Sequence, residues 1–419
     1  MRAKRSDWWN PWRGLAGLPR EMWVLFAATL VNRAGSMVLA FFVLYLTRDV
    51  GLPVATAGLM VLVYGAGALV AAPVAGRLAD RFGPIRIMRA SLIASGLVML
   101  AFPAARTLPG IVALTLALAV TAESFRPANL TLVGDLVTPV QRKPAFALNR
   151  LAINLGMSVG PALGGVLAGI SFRWLFLVDG GTSLLAGAIL AFSAFPPHRQ
   201  APKQLEDAIA PHLARSAHRD PRLLYFLAAM FPISFVFFQH ISSMPVYLVR
   251  DLHLSESSYG LLFTINTLLI VFLEVGLNTA TAYWPHRRTL AIGAVLCGLG
   301  FGSLAWARDF GGAAATVAVW TFGEMLIFPG MADYLTDIAP VERRGEYMGL
   351  SQMMMGFAFM VAPWGGLQIL ASLGPRVLWL LMLAFGLVAA LLMLRLRGSG
   401  HRMAEVEVPL PTTAPSTEP

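Results

Sequence analysis

Twelve long apolar runs divide this chain, and they leave few fold classes open. A membrane-spanning helix needs roughly 20 mostly apolar residues. The runs fall at 21–47, 55–77, 86–105, 110–136, 145–170, 174–195, 221–249, 257–280, 288–307, 311–337, 346–371 and 375–396. None alternates apolar and polar residues as a membrane-barrel strand does, so helices are the expected spanning elements. Composition agrees. Of 419 residues, 57% are hydrophobic and 13% charged, where a soluble chain carries about 25% charged residues. Too little polar surface remains to coat a water-soluble globule, and disorder requires far lower hydrophobicity.

Three regions fall outside the runs: the basic 1–20 segment, the 196–220 stretch and the Pro/Thr-rich 398–419 tail, which reads as disordered. The middle stretch divides the chain into a six-helix half at 21–195 and a second at 221–397. Within it, Leu205, Ile209 and Leu213 recur at helical spacing, which fits a short helix lying on the membrane or simply a mobile linker. Arg2, Lys4, Arg5, Arg13 and Arg20 precede the first run, which is too long for the apolar core of a signal peptide and lacks a small-residue cleavage pattern. It is expected to be a retained first span.

The formal net charge of +10 raises the question of nucleic acid. With only three lysines, Lys4, Lys143 and Lys203, in so apolar a chain, no nucleic-acid partner is expected. The charges instead orient the spans. Of the 32 basic residues, 24 fall on the side that carries both termini, six fall one to each opposite loop (Arg48, Arg106, Arg173, Arg250, Arg308, Arg376), and Arg33 and Arg126 lie within spans. Basic loops stay cytoplasmic, so both termini are expected in the cytoplasm of a bacterial-type inner membrane.

The chain repeats itself. A shift of 202 lays Tyr45-Leu46-Thr47-Arg48-Asp49 on Tyr247-Leu248-Val249-Arg250-Asp251 and Gly58-Leu59 on Gly260-Leu261. A shift of 201 lays Pro139-Val140-Gln141-Arg142 on Pro340-Val341-Glu342-Arg343 and Glu123 on Glu324. The expected fold is therefore an all-α integral membrane protein, its 12 transmembrane helices forming two parallel six-helix repeats around a central cavity.

Two short motifs carry a family resemblance. After the second run the chain reads Gly76-Arg77-Leu78-Ala79-Asp80-Arg81-Phe82-Gly83-Pro84-Ile85-Arg86. This resembles the signature loop of the major facilitator superfamily. The resemblance implies a cytoplasmic latch that favours the outward-open state, centred on Gly76, Asp80, Arg81 and Gly83 and supported by Asp135. Without it, the stretch reads as a turn with solvated charges. The repeat-related stretch has lost the pattern: Asn278, Ala282 and Pro285 stand opposite Gly76, Asp80 and Gly83. In the fifth run, Gly156, Gly160, Pro161, Gly164 and Gly165 resemble the glycine-proline motif of the family's proton-coupled drug and metabolite antiporters. The same spacing also suits a generic close-packing face. The arginine pattern that such exporters often carry early in span four is absent here; Arg126 sits later, in Glu123-Ser124-Phe125-Arg126-Pro127.

Ionisable groups inside spans are costly and mark cavities or partners. Arg33, Glu123 and Glu324 lie near mid-depth, Arg126 one turn from Glu123, Glu274 in the eighth run and Asp179 toward the outer end of the sixth. In the family, spans one, four, seven and ten line the cavity, which would place Arg33, Glu123, Arg126 and Glu324 on it. A carboxylate that alternates between an apolar setting and an Arg neighbour changes its proton affinity and can load and release a proton. Glu123 is the expected proton site, with Arg33 or Arg126 as its switching partner. Glu324 is the second candidate, for protons or for a cationic substrate. The bland alternative is a permanent ion pair holding the halves together. Asn32, Tyr64, Asn154, Phe235, Phe238, Gln239, His240 and Asn266 form a mixed aromatic and amide set that suits amphipathic ligands, although such residues also serve packing.

The energy source is constrained by what is missing. No lysine is followed by Ser or Thr, so there is no Walker-type phosphate loop, and one cysteine, Cys297, excludes a disulfide within the chain. No metal site and no cofactor are expected. The expected protein is a monomeric secondary transporter with protons, a small-molecule substrate and lipid as partners, exporting amphipathic compounds or drugs. An importer of peptides, sugars or other nutrients is the nearest alternative. A lipid-modifying membrane enzyme would need clustered catalytic groups, and the seven histidines are scattered.

Overall fold

The computed structural model describes residues 17–138, 141–196, 217–281, 283–340 and 343–396. The basic segment to residue 16, the stretch around Leu205, Ile209 and Leu213, and the 397–419 tail lie outside the described residues.

Twelve helices are long and apolar enough to cross a membrane: α1 (Arg20–Asp49), α2 (Val54–Phe82), α3 (Pro84–Ala104), α4 (Leu108–Leu136), α5 (Pro144–Ile170), α6 (Phe172–Ala191), α7 (Pro221–Ile241), α8 (Glu256–Thr281), α9 (His286–Trp306), α10 (Phe310–Ile338), α11 (Gly345–Leu373) and α12 (Pro375–Leu394). No strand occurs among the described residues. Each helix follows one of the twelve apolar runs. One expectation is corrected: the motif after the second run is not a loop. Gly76 to Phe82 form the last turns of α2, and the chain reverses at Gly83 alone. Its φ of 91° is a conformation that side chains resist, which is why glycine stands there.

Three helices are interrupted where hydropathy gives no warning. In α1 the helical ladder stops at Gly35 and resumes at Val38, with Ser36 at ψ 86° and Met37 at φ −125°. In α4 it breaks at Ser124, since Pro127 has no N–H to offer the Glu123 carbonyl four residues back. In α7 it tightens into a 3-10 turn over Phe238–Ile241 and then bends at Ser242. The internal repeat is visible in the backbone. Tyr45–Asp49 and Tyr247–Asp251 form the same wide π-turn, closed by Val50 N–H to Tyr45 O and by Leu252 N–H to Tyr247 O, each at 3.1 Å.

Within the first half α1 is held by α5 and α6, α2 by α4, and α3 packs against α6. The second half repeats this with α7 against α11 and α12, α8 against α10, and α9 against α12. The halves meet through α2 with α11 and α5 with α8. Close contact is concentrated at the end opposite the termini. There Gln368 Nε2 donates to Ala55 O at 3.0 Å, Ser257 Oγ donates to Gly165 O at 3.2 Å, and Arg48 pairs with Glu256. Phe42, Tyr45, Phe102 and Phe176 form a buried aromatic cluster at this end, with Phe102 and Phe176 rings 5.1 Å apart. Toward the end that carries the termini, Gly76, Gly134, Gly276 and Gly349 face open space. Arg150 and Glu274, 3.6 Å apart, join α5 to α8 on that side.

Candidate functional site

The glycines of α5 create the setting. At Gly156 an added Cβ would lie 2.8 Å from the Ala34 nitrogen, at Gly160 2.9 Å from the Ser36 carbonyl oxygen, and at Gly164 2.8 Å from Met37 Cβ. Three glycines at four-residue spacing therefore form a groove in which the broken section of α1 lies. Gly165 faces the other half, where its Cβ would come within 2.7 Å of the Glu256 carbonyl oxygen. One motif thus seats the break in α1 and brings α5 against α8.

That break places Arg33 inside the first half. Its guanidinium lies over the Phe125 ring at 5.6 Å from the centroid, and its Nε is buried without a hydrogen-bond partner. Glu123, Tyr64, Arg126 and Asp179 all act on it electrostatically. Glu123 accepts a hydrogen bond of 2.8 Å from the Tyr64 hydroxyl. Among the described residues no ion pair joins Glu123 to Arg33 or Arg126, and Arg126 is exposed beyond the break at Ser124. The one-turn spacing that would let Arg126 pair with Glu123 is not used in this state: the helical ladder breaks at Ser124, and the carboxylate takes a neutral donor on α2.

The second half holds the counterpart. Asn266 Nδ2 donates to Glu324 Oε2 at 2.8 Å and to Thr321 Oγ1 at 3.0 Å. Asn266 stands 202 residues after Tyr64, and Glu324 stands 201 after Glu123. Each half thus carries one mid-depth carboxylate on its fourth helix, held by a neutral donor from its second. The surroundings differ. Glu324 faces a cavity lined with Phe237, Phe328, Cys297 and Ile327, and Asn266 faces a second cavity with His240, Phe263 and Trp320. Phe237 packs against Phe328 at 4.9 Å and His240 at 4.5 Å between ring centroids. Phe359 links the two sites, lying 6.1 Å from Tyr64 and 5.2 Å from Phe238.

Several residues expected on the cavity lie elsewhere. Asn32 is buried and donates to Ser183 Oγ at 3.2 Å, in the seam between α1 and α6. Gln239 is fully buried and ties α7 to α11 through Ala362 O at 2.9 Å. Phe235 is buried against Phe385 and Gly365. Each of the three meets partners within its own half. Asn154 is half-buried on α5. Of the latch residues, Asp80 is exposed and makes no ion pair among the described residues, Arg81 lies over the Phe82 ring, and Asp135 is exposed near the end of α4. Sequence reading passed over two features. Asp179 accepts hydrogen bonds from backbone amides of α1, and Glu274 pairs with Arg150 on the other half. Both were visible as acids within spans, but nothing local named their partners.

The Major Facilitator Superfamily model matches residues 25–250 and 240–417. The chain belongs to this superfamily. Among relatives of this facilitator, an uncharacterized MFS-type transporter of Bacillus subtilis, YqjV, is 25% identical over 82% of this chain and 85% of its own length. A Na(+), Li(+), K(+)/H(+) antiporter of Planococcus maritimus is 24% identical over 80% and 85%. The multidrug resistance protein MdtH of Aeromonas salmonicida is 25% identical over 78% and 82%. Among solved structures, a peptide transporter POT in complex with sulfate superposes with TM-score 0.75 at 18% identity, covering 92% of this chain and 95% of its own. A D-xylose-proton symporter gives TM-score 0.71 at 16% identity, over 90% and 96%. The facilitator is a multi-pass membrane transporter, not an enzyme.

Proposed function

We propose that this facilitator is a proton-coupled exporter of amphipathic small molecules, working by alternating access in a bacterial inner membrane with both termini cytoplasmic. The observation that carries the reading is the Tyr64–Glu123 hydrogen bond at mid-depth, within electrostatic reach of a half-buried Arg33 and mirrored by Asn266–Glu324. A carboxylate with a neutral donor on one side and a guanidinium within electrostatic reach has two alternative environments, which is what proton loading and release require. Glu123 is the proton site and Arg33 its switching partner. Glu324, set among Phe237, Phe328 and Ile327, serves the substrate. The relatives named as a multidrug resistance protein and a cation/proton antiporter support outward exchange.

The positive-inside arrangement makes the close-packed end the outer one, so the structure corresponds to the inward-facing state. The latch around Asp80 is disengaged in that state and engages when the inner ends of α2 and α11 close. Under a gradient imposed across proteoliposomes of known orientation, ethidium is expected to move from the cytoplasmic face outward against inward proton flow. In Glu123→Gln the pH-driven component falls to the level of empty liposomes. Ethidium and protons moving in the same direction, or an unimpaired Glu123→Gln protein, would overturn the reading.

A further inference from the structure

Breaking a helix inside a membrane leaves amides without partners, and something must satisfy them. In α1 this is done by one side chain from α6. Asp179 is 2% exposed, and its Oδ2 accepts from both Met37 N–H and Val38 N–H, each at 3.1 Å. The same face of α6 closes the seam around the break. Ser183 takes the Asn32 side chain, and Thr182 occupies the space that a Cβ on Gly35 would need. The glycine groove of α5 backs the other side. The break is therefore clamped between two helices, and Arg33 lies in the last turn before it, its carbonyl accepting Ser36 N–H at 3.1 Å.

The second half solves the same problem differently. Leu381 stands opposite Asp179 at the repeat shift of 202. The α7 bend is held by buried Gln239, whose Oε1 accepts from Ser243 Oγ at 2.7 Å while its Nε2 donates to Ala362 O at 2.9 Å. The Gln239 amide bridges a hydroxyl and a carbonyl, whereas the Asp179 carboxylate takes two backbone amides. The shared requirement is a hydrogen-bonding group at the break, and its place beside Arg33 is peculiar to the first half.

We propose that Asp179 is a positioning residue: its carboxylate holds α1 broken at Ser36–Met37 and so keeps Arg33 directed at the Glu123 site. The proposal rests on the proton-site reading of Glu123. The charged and titratable groups around the clamp are Arg33 on α1, Tyr64 on α2, and Glu123 and Arg126 on α4.

The test compares full-length wild-type, Asp179→Ala, Asp179→Asn, Asp179→Glu and Arg33→Gln proteins in proteoliposomes, by hydrogen exchange and by the pH profile of ethidium transport. In Asp179→Ala the Met37 and Val38 amides exchange about tenfold faster, the loss expected for a buried hydrogen bond. Its pH profile moves to that of Arg33→Gln. Asp179→Asn retains an acceptor oxygen and rescues both readouts. Should Asp179→Ala fail to fold, Asp179→Glu takes its place, moving the acceptor by one methylene and giving an intermediate shift of the profile. An unmoved pH profile in Asp179→Ala or Asp179→Glu with faster exchange makes the contact merely structural and overturns the proposal. So does an Asp179→Asn protein as impaired as Asp179→Ala, because charge and not the acceptor would then matter. The proton-site reading fails separately, by a Glu123→Gln protein with a normal pH profile, while amide exchange in the Asp179 series still reports on the clamp.

Discussion

Glu123 and Glu324 hold repeat-related places, yet their settings divide them. Glu123 bonds to a phenol and sits beside Arg33, whereas Glu324 bonds to an amide among aromatic rings. Removing the phenol leaves the carboxylate in place but without its donor. Tyr64→Phe is therefore expected to reduce pH-driven transport less than Glu123→Gln, with a change in the pH of half-maximal rate, measured in the same proteoliposomes. Asn32 makes the opposite case. Its amide is buried against Ser183, so Asn32→Ala leaves an unpaired hydroxyl and costs about 1–3 kcal/mol. The expected readout is a lower thermal midpoint at unchanged KM. Both residues are polar and inside spans, and the sequence does not distinguish them. Which neighbour a side chain meets depends on the helix beside it, and Tyr64 and Glu123 are 59 positions apart.

At the level of the helices, apolar length identified all twelve spans but none of the three breaks. Hydropathy sums over a window, and replacing one hydrogen bond by another leaves that sum unchanged. Two breaks have a local cause, a proline three residues past the interruption: Pro127 after Ser124 in α4 and Pro245 after Ser242 at the end of α7, each without an N–H for the carbonyl four residues back, while the α1 break has none. The glycine motif of α5 was legible as a packing face, and the structure adds what packs there. Gly160→Leu is expected to destabilise by about 1–3 kcal/mol through overpacking against the Ser36 carbonyl, and to abolish transport. Gly134→Ala, with open space around it, serves as the control and keeps the wild-type thermal midpoint. At the α2–α3 reversal, Gly83→Ala forces a side chain into a φ of 91° and costs about 1–3 kcal/mol of strain, read as a drop in thermal midpoint.

The whole molecule consists of two halves that meet tightly at one end. The proposed alternating-access cycle requires that end to open, so fixing it is expected to stop transport. In a Cys297→Ala background, cysteines at Ala55 and Gln368, whose residues are already hydrogen-bonded, are expected to form a disulfide readily and to block transport until reduced. Cysteines at Gly76 and Gly349, which face open space in this state, cross-link only slowly as the protein cycles, and faster once the first end is free to open. Gel mobility and transport before and after reduction check both outcomes. The ion pairs Arg48–Glu256 and Arg150–Glu274 both tie α8 to the first half, one at each end of that helix.

Twelve helices and two similar halves follow from the sequence alone, and so does the orientation proposed for them, because each is a one-dimensional property: apolar length, internal similarity, and basic residues counted loop by loop. These quantities sum over neighbours in the chain, and the bilayer acts on them directly. The site is of another kind. That Glu123 turns to Tyr64, that Asn32 meets Ser183 and Gln239 meets Ala362, and that Asp179 satisfies amides 142 and 141 positions away were decided only by how helices lie against one another. In lipid every helix is apolar on most faces, so hydrophobicity cannot say which face meets which. That choice belongs to small residues and a few polar bonds, and both take their meaning from the partner opposite them.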